Sequence, residues 1–249
     1  MQGAEKLNIK GGKATVIYSL YMERKDMYGD ELEFSVINDG NFPARTAVAH
    51  KVKGKVPTLV YGDELDEYSF PGKPKKVERG KFHIFGVDSR ERSSSAIGFD
   101  ILKNGQPFAT YYHDAAPVGP RKLLQRRVGF DVMHYDNRDY LIFRSGTPNE
   151  NYHHYCVLDA VTKETVVILR RLAPNSDNRR AYIYVENPAM EELAMIIAAR
   201  ELVLTVSYDA EGKCFDLSAG NYVSVDKEER DIYDADFVRR VEQSVIASY

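Results

Sequence analysis

The run Asn187-Pro-Ala-Met-Glu-Glu-Leu-Ala-Met-Ile-Ile-Ala-Ala-Arg200 decides the fold. Asn187 is a favourable helix N-cap, and Pro188 suits the first helical position. Glu191 and Glu192 stand near the positive end of the helix dipole, and Arg200 stands near the negative end. Between them, Leu193, Ala194, Met195, Ile196, Ile197, Ala198 and Ala199 leave no polar face. A helix apolar all round is buried on every side. The rest of the chain reads as short strands and turns, and a sheet wrapped around the helix is the simplest way to bury it. The expectation is a mainly β protein: a closed or nearly closed antiparallel β-barrel around one buried hydrophobic helix, with a short C-terminal helix.

Strand and turn signals spread outward from that helix. Ala181 to Val185 leads into it, and Leu202 to Tyr208 reads as a strand after it. Upstream, Lys103-Asn-Gly105, Asp136-Asn-Arg138 and Asp159-Ala-Val-Thr-Lys163 are turns between alternating segments. In the first half, Glu31-Leu-Glu-Phe-Ser-Val36 alternates cleanly, and Ala14 to Met22 is apolar on both faces. Residues 62–81 hold Gly-Asp-Glu-Leu-Asp-Glu and then Pro71-Gly-Lys-Pro-Lys-Lys76, and read as an exposed loop. Phe237, Val241 and Val245 fall at helical spacing in the tail. The organisation is a polar lead-in over residues 1–12, a barrel domain over 13–225 and a helical extension over 226–249.

At 249 residues the chain is long enough for a substantial core, and its net charge of -3 does not argue for nucleic acid. Cys156 and Cys214 give no disulfide framework, so a reducing compartment is the default. The opening Met1-Gln-Gly-Ala-Glu-Lys6 has no secretory pattern, and the apolar helix is too short to span a bilayer. The expected place is intracellular, either cytoplasmic or peripheral to a membrane. Import into an organelle after loss of a leader stays open.

The second half has a particular order. The hairpin Phe99-Asp-Ile-Leu-Lys-Asn-Gly-Gln-Pro-Phe-Ala109 precedes paired strands and Tyr155-Cys-Val-Leu-Asp-Ala-Val-Thr-Lys-Glu-Thr-Val-Val-Ile-Leu-Arg-Arg171. Tyr182-Ile-Tyr-Val185 and the apolar helix follow. Over roughly residues 96–209 this resembles the tubby-like superfamily, which includes phospholipid scramblase-like and LURP-one-related proteins. The resemblance rests on pattern and order. It implies an antiparallel barrel closed around a hydrophobic helix. There is no cysteine-rich palmitoylation cluster, so scrambling is not implied. The basic residues that hold phosphoinositides in tubby proteins have no position-by-position match.

Three basic clusters are candidate contacts for an anionic head group. They are Lys75, Lys76 and Arg79 with Lys73 and Lys81; Arg121, Lys122, Arg126 and Arg127; and Arg170 and Arg171 with Arg179 and Arg180. The plainer reading is solvated loop ends beside acids such as Glu78, Glu91 and Asp177. His154 and Cys156 share a strand face by their spacing, and with His134 would make three zinc-type ligands. Half-buried strand residues are the plainer alternative. Tyr111, Tyr112, Tyr135, Tyr140, Tyr152, Tyr155, Tyr182 and Tyr184 read as β-formers with hydroxyls at the barrel surface. No Walker A, G-x-S-x-G, Rossmann or H-E-x-x-H pattern occurs.

The function expected from this is a non-catalytic binding or adaptor module. Its partner is another protein or an anionic phospholipid head group, and neither cofactor nor metal is called for. Two alternatives remain. One is a structural subunit of a larger assembly, attached through residues 62–81 and the C-terminal segment. The other is an uncatalogued enzyme or metal site around His134, His154 and Cys156.

Overall fold

The computed structural model describes residues 16–24, 31–38, 45–52, 55–62, 65–85, 87–88, 94–118, 126–145, 154–171, 180–203, 206–208, 214–216 and 231–246. The lead-in 1–12 and the basic residues Arg121 and Lys122 lie outside the described residues.

The first strands are β1 (Val16–Arg24), β2 (Glu31–Asn38), β3 (Arg45–Val52), β4 (Thr58–Tyr61), β5 (Asp66–Ser69) and β6 (Pro74–Glu78). A two-residue ladder follows, made of β7 (His83–Ile84) and β8 (Val87–Asp88). Then come β9 (Ser95–Lys103), β10 (Gln106–Val118), β11 (Arg126–Tyr135), β12 (Arg138–Ser145), β13 (His154–Asp159), β14 (Thr165–Arg171) and β15 (Arg180–Val185). The buried helix α1 (Glu191–Val203) comes next, then the small ladder of β16 (Val206–Tyr208) with β17 (Cys214–Asp216), and last α2 (Ala235–Ile246).

One large antiparallel sheet dominates. Its neighbour order is β10-β11-β12-β13-β14-β15-β1-β2-β3-β4-β5-β9-β6, and β9 also pairs with β10. The first strand is thereby joined to the last strand before α1, with Val16 opposite Val185. Tight turns set the register. Asn104 and Gly105 both have positive φ, as do Asp136 and Asn137, which is the twist a two-residue hairpin needs.

The apolar run behaves as its composition demands. Every residue from Leu193 to Ala199 is buried, and Leu193, Ile196 and Ile197 are wholly so. Each large side chain there contributes about 1.5–3 kcal/mol on burial. The helix packs against β2, β3, β4 and β15. Its core also takes in Ile101, Met133, Ile142, Val157 and Leu169 from strands further round the sheet. On β3 the facing residues are Ala47 and Ala49, whose small side chains let the helix lie close.

Four expectations change. Residues 62–81 are not one loop. Tyr68 and Phe70 are buried there, β5 pairs with β4 and β9, and β6 pairs with β9. The acids flanking Tyr68 hid the strand, because Asp66 is engaged by Lys103 rather than by solvent alone. The helix runs on to Val203, so Leu202 belongs to it, and the strand after it begins at Val206. The tyrosines are largely inside: Tyr140 and Tyr155 are buried, and Tyr111 and Tyr135 face α1. Finally, α2 docks on the chain's own sheet. Phe237, Val238 and Val241 close over Cys156, Ile168 and Tyr184 on the face turned away from α1.

Candidate functional site

The two ends of α1 differ in charge, and the difference organises the surface. At its first turn Glu192 accepts hydrogen bonds from Tyr135 at 2.6 Å, from Lys103 Nζ at 2.9 Å and from Tyr68. Tyr61 donates to Glu191 at 2.8 Å. Lys103 also reaches Asp66 at 2.8 Å and lies 5.3 Å from the Tyr68 and Phe108 ring centres. Burial alone raises the Glu192 carboxyl pKa, but the donors from Tyr135, Tyr68 and Lys103 hold it below its usual value. Burial raises the three tyrosine hydroxyls, and their carboxylate partners raise them further. The network was missed in sequence because Glu191 and Glu192 were sufficiently explained by the helix dipole.

At the other end Arg200 donates to Asp131 at 2.7 Å, contacts Glu201, and lies 4.0 Å over the Tyr111 ring. Asp131 also bonds His113 Nδ1 at 2.9 Å. Burial opposes the charge on Asp131, yet His113 and Arg200 hold its carboxyl at about 2.

β11 runs from Arg126 past Asp131, which holds Arg200, to Tyr135, which holds Glu192. Arg126 and Arg127 therefore lie beyond the Arg200 end of α1. Antiparallel alternation takes β14 to that same end, where it finishes in Arg170 and Arg171, and β15 begins there with Arg180. β6, on the N-terminal half of β9, brings Lys75, Lys76 and Arg79 to that end as well. Three clusters distant in sequence thus reach one end of the sheet, which by the same strand directions also carries Glu23, Glu31, Glu33, Glu78, Asp114 and Asp131. The opposite end carries the acids Asp66, Glu67, Asp136, Asp139, Asp159 and Glu191, offset in part by Lys103, Arg138 and Lys163. The pattern sits within a net charge of only -3.

The basic residues are not equivalent. Lys75 is ion-paired with Asp100, and Arg79 sits 3.7 Å from the buried Asp114. Among the described residues Arg79 Nε and Asp114 Oδ2 have no hydrogen-bond partner. Arg170 is bonded to Tyr184, on the face that α2 covers. Lys76 is exposed and has no ion pair among the described residues. Lys75, Lys76, Arg79, Ile97 and His113 line one shallow groove of about 760 Å³.

The His134, His154 and Cys156 set does not assemble. His134 pairs with Asp139, both across the ladder and through a 2.9 Å hydrogen bond, whereas Cys156 lies opposite Phe143. His154 and Cys156 are buried near α2, with His154 5.2 Å from the Tyr233 ring. Burial pushes the Cys156 thiol up to about 12. Among the described residues no three His, Cys, Asp or Glu side chains are grouped to hold a metal. A second cavity, about 660 Å³, has Leu141, Phe143 and Leu158 at its floor and Asp231, Asp234 and Asp236 at its rim. There Asp234 accepts from the Phe237 N–H at 2.8 Å and caps α2. No described helix is long and apolar enough to cross a membrane.

Compared with protein-family models, curated proteins and solved structures, the chain matches none.

Proposed function

We propose that this chain is a non-catalytic binding module that engages an anionic partner, a membrane head group or an acidic protein surface, through the end of the sheet at Arg200. The observation that carries the reading is the convergence of three basic clusters on that end, where they outnumber Glu23, Glu31, Glu33, Glu78, Asp114 and Asp131, while acids outnumber cations at the other. Such a separation gives a strong local field even on a chain of negative net charge. The deep burial of Cys156 and the separation of His134 from it support binding rather than thiol or metal chemistry.

The architecture proposed with it is a barrel closed around α1, as in the tubby-like superfamily. Support comes from β9, which pairs with β5 on one side and β10 on the other, and from α1, buried from Leu193 to Ala199. Cation-exchange chromatography tests the functional reading. Despite its charge of -3 the chain should be retained on a cation exchanger at low salt and released by salt. Arg144→Glu should advance its release, since Arg144 is exposed one residue from the end of β12. Passage through the column at low salt would overturn the reading.

A further inference from the structure

β6 is the last strand of the neighbour order and, among the described residues, pairs only with β9. Just past it, the Arg79 N–H donates to the Ser94 carbonyl at 3.1 Å. In an antiparallel ladder, residues that bond the partner alternate with residues whose N–H and C=O face away. Counting back from Arg79, Val77 and Lys75 bond β9. Lys76 and Glu78 therefore present their backbone groups to the open side, where no strand pairs among the described residues. Pro74, in the same phase, has no N–H to leave unpaired.

An open edge is a template for another strand, and charge decides which strand it accepts. Lys73, Lys75, Lys76, Arg79 and Lys81 lie in or beside β6, and Glu78 is the one acid among residues 73–81. A second copy of β6 laid on this edge would set lysine against lysine, which is unfavourable. An acidic strand meets the opposite case. The edge also borders the groove of Lys76, Ile97 and His113, in which Ile97 is 68% exposed. That is an apolar foothold beside a free cation. We propose that the β6 edge takes an extended acidic segment of a partner protein as an added strand, with carboxylates at Lys76 and an apolar side chain over Ile97. The proposal rests on the reading that this end engages an anionic partner, and it names the partner.

The test is fluorescence anisotropy of the full chain with a short labelled peptide in which glutamate and valine occupy every second residue and threonine the rest, Glu-Thr-Val-Thr-Glu-Thr-Val, so that the carboxylates and the apolar side chains share the face of Lys76 and Ile97. Binding that weakens with salt is expected. The same peptide N-methylated at alternate backbone nitrogens should bind about tenfold more weakly, because strand addition draws its affinity from main-chain bonds. Lys76→Pro removes an N–H from the open side and leaves the β9 ladder intact. It should give a similar loss with an unchanged melt. Equal binding of the N-methylated and parent peptides overturns the proposal, whatever Lys76→Pro does to the fold. So does binding to phosphatidylserine vesicles, equal for parent and Lys76→Pro, with the peptide ignored. That result leaves the anionic-partner reading standing, whereas failure on the cation exchanger as well removes both.

Discussion

Arg200, at the far end of the buried helix, donates to Asp131 on β11 at 2.7 Å, and four residues along the same strand Tyr135 donates to Glu192 at 2.6 Å. The rise of α1 from Glu192 to Arg200 is about 12 Å. The strand from Asp131 to Tyr135 covers about 13 Å. One strand therefore pins the helix at both ends. Apolar packing is non-directional and would let a smooth helix slide, so these polar contacts fix its position along its axis.

Breaking the Arg200 end should cost about 3 kcal/mol, because Asp131→Asn leaves a largely buried guanidinium short of its partner. Tyr135→Phe should cost about 1 kcal/mol. The sites are about 13 Å apart along the strand, so the double variant should show the sum. Urea unfolding measures all three. A large coupling between the two changes would mean that the helix ends do not act independently.

The same carboxyl predicts an acid dependence. Asp131 is held at about 2, below its unfolded value. A depressed carboxyl stabilises the fold at pH values above its unfolded pKa. That contribution, about 2 kcal/mol, is lost as the pH falls from about 4 through about 2. The parent should therefore lose more stability than Asp131→Asn across that window. Parallel loss in both chains would show that the Arg200 contact is not what titrates.

Ile196→Asp and Ile197→Asp should each unfold the chain, since both positions are fully buried and a carboxylate there would be unpaired. Ile196→Ala gives a gentler reading, at about 2–5 kcal/mol. A thermal melt of either Asp variant close to the parent's would mean that side of α1 meets water.

If the anionic partner is a membrane head group rather than an acidic protein segment, binding to vesicles that contain anionic phospholipid should weaken with salt and vanish on neutral vesicles. Reversal of Arg126 and Arg127 to Glu should abolish it without moving the melt, because both stand at the outer end of β11. If that pair of changes leaves co-sedimentation intact, the contacts lie elsewhere.

The docked C-terminal helix reverses one expectation from sequence. In the structural-subunit alternative the C-terminal segment, with Phe237, Val241 and Val245 at helical spacing, is an attachment point for another protein. Phe237 is in fact wholly buried over Cys156 and Ile168. Phe237→Ala should cost about 3–5 kcal/mol. In a Cys214→Ser background, a chain ending at Asp226 should melt lower and make Cys156 reactive toward a thiol reagent that leaves it untouched in the full-length chain. Equal thiol reactivity in both would show that α2 is not the cover.

What sequence could reveal follows from how local each feature is. α1 was legible because seven successive apolar residues admit only one environment, and the Asn104–Gly105 turn because its φ values suit few other residues. β5 was not legible. Its Asp-Glu-Tyr-Ser looks like loop until Lys103, Asn104 and Glu192 arrive from elsewhere to satisfy it. The inward tyrosines were misplaced for a related reason: their acceptor, Glu192, is distant in sequence. The basic clusters could be seen singly, but their meeting depends on strand direction, which no single segment encodes.

The pairing of β1 with β15 also has a consequence in time. Val16 must wait for Val185, so the N-terminal strands leave the ribosome with an unpaired edge and no helix to pack on. Their partners and α1 arrive only when most of the described chain has been made. Contacts of such sequence separation make folding slow and expose strand edges to wrong neighbours meanwhile. The nascent chain should therefore depend on chaperones until α1 emerges, and a ribosome stalled before Glu191 should hold a species that aggregates on release.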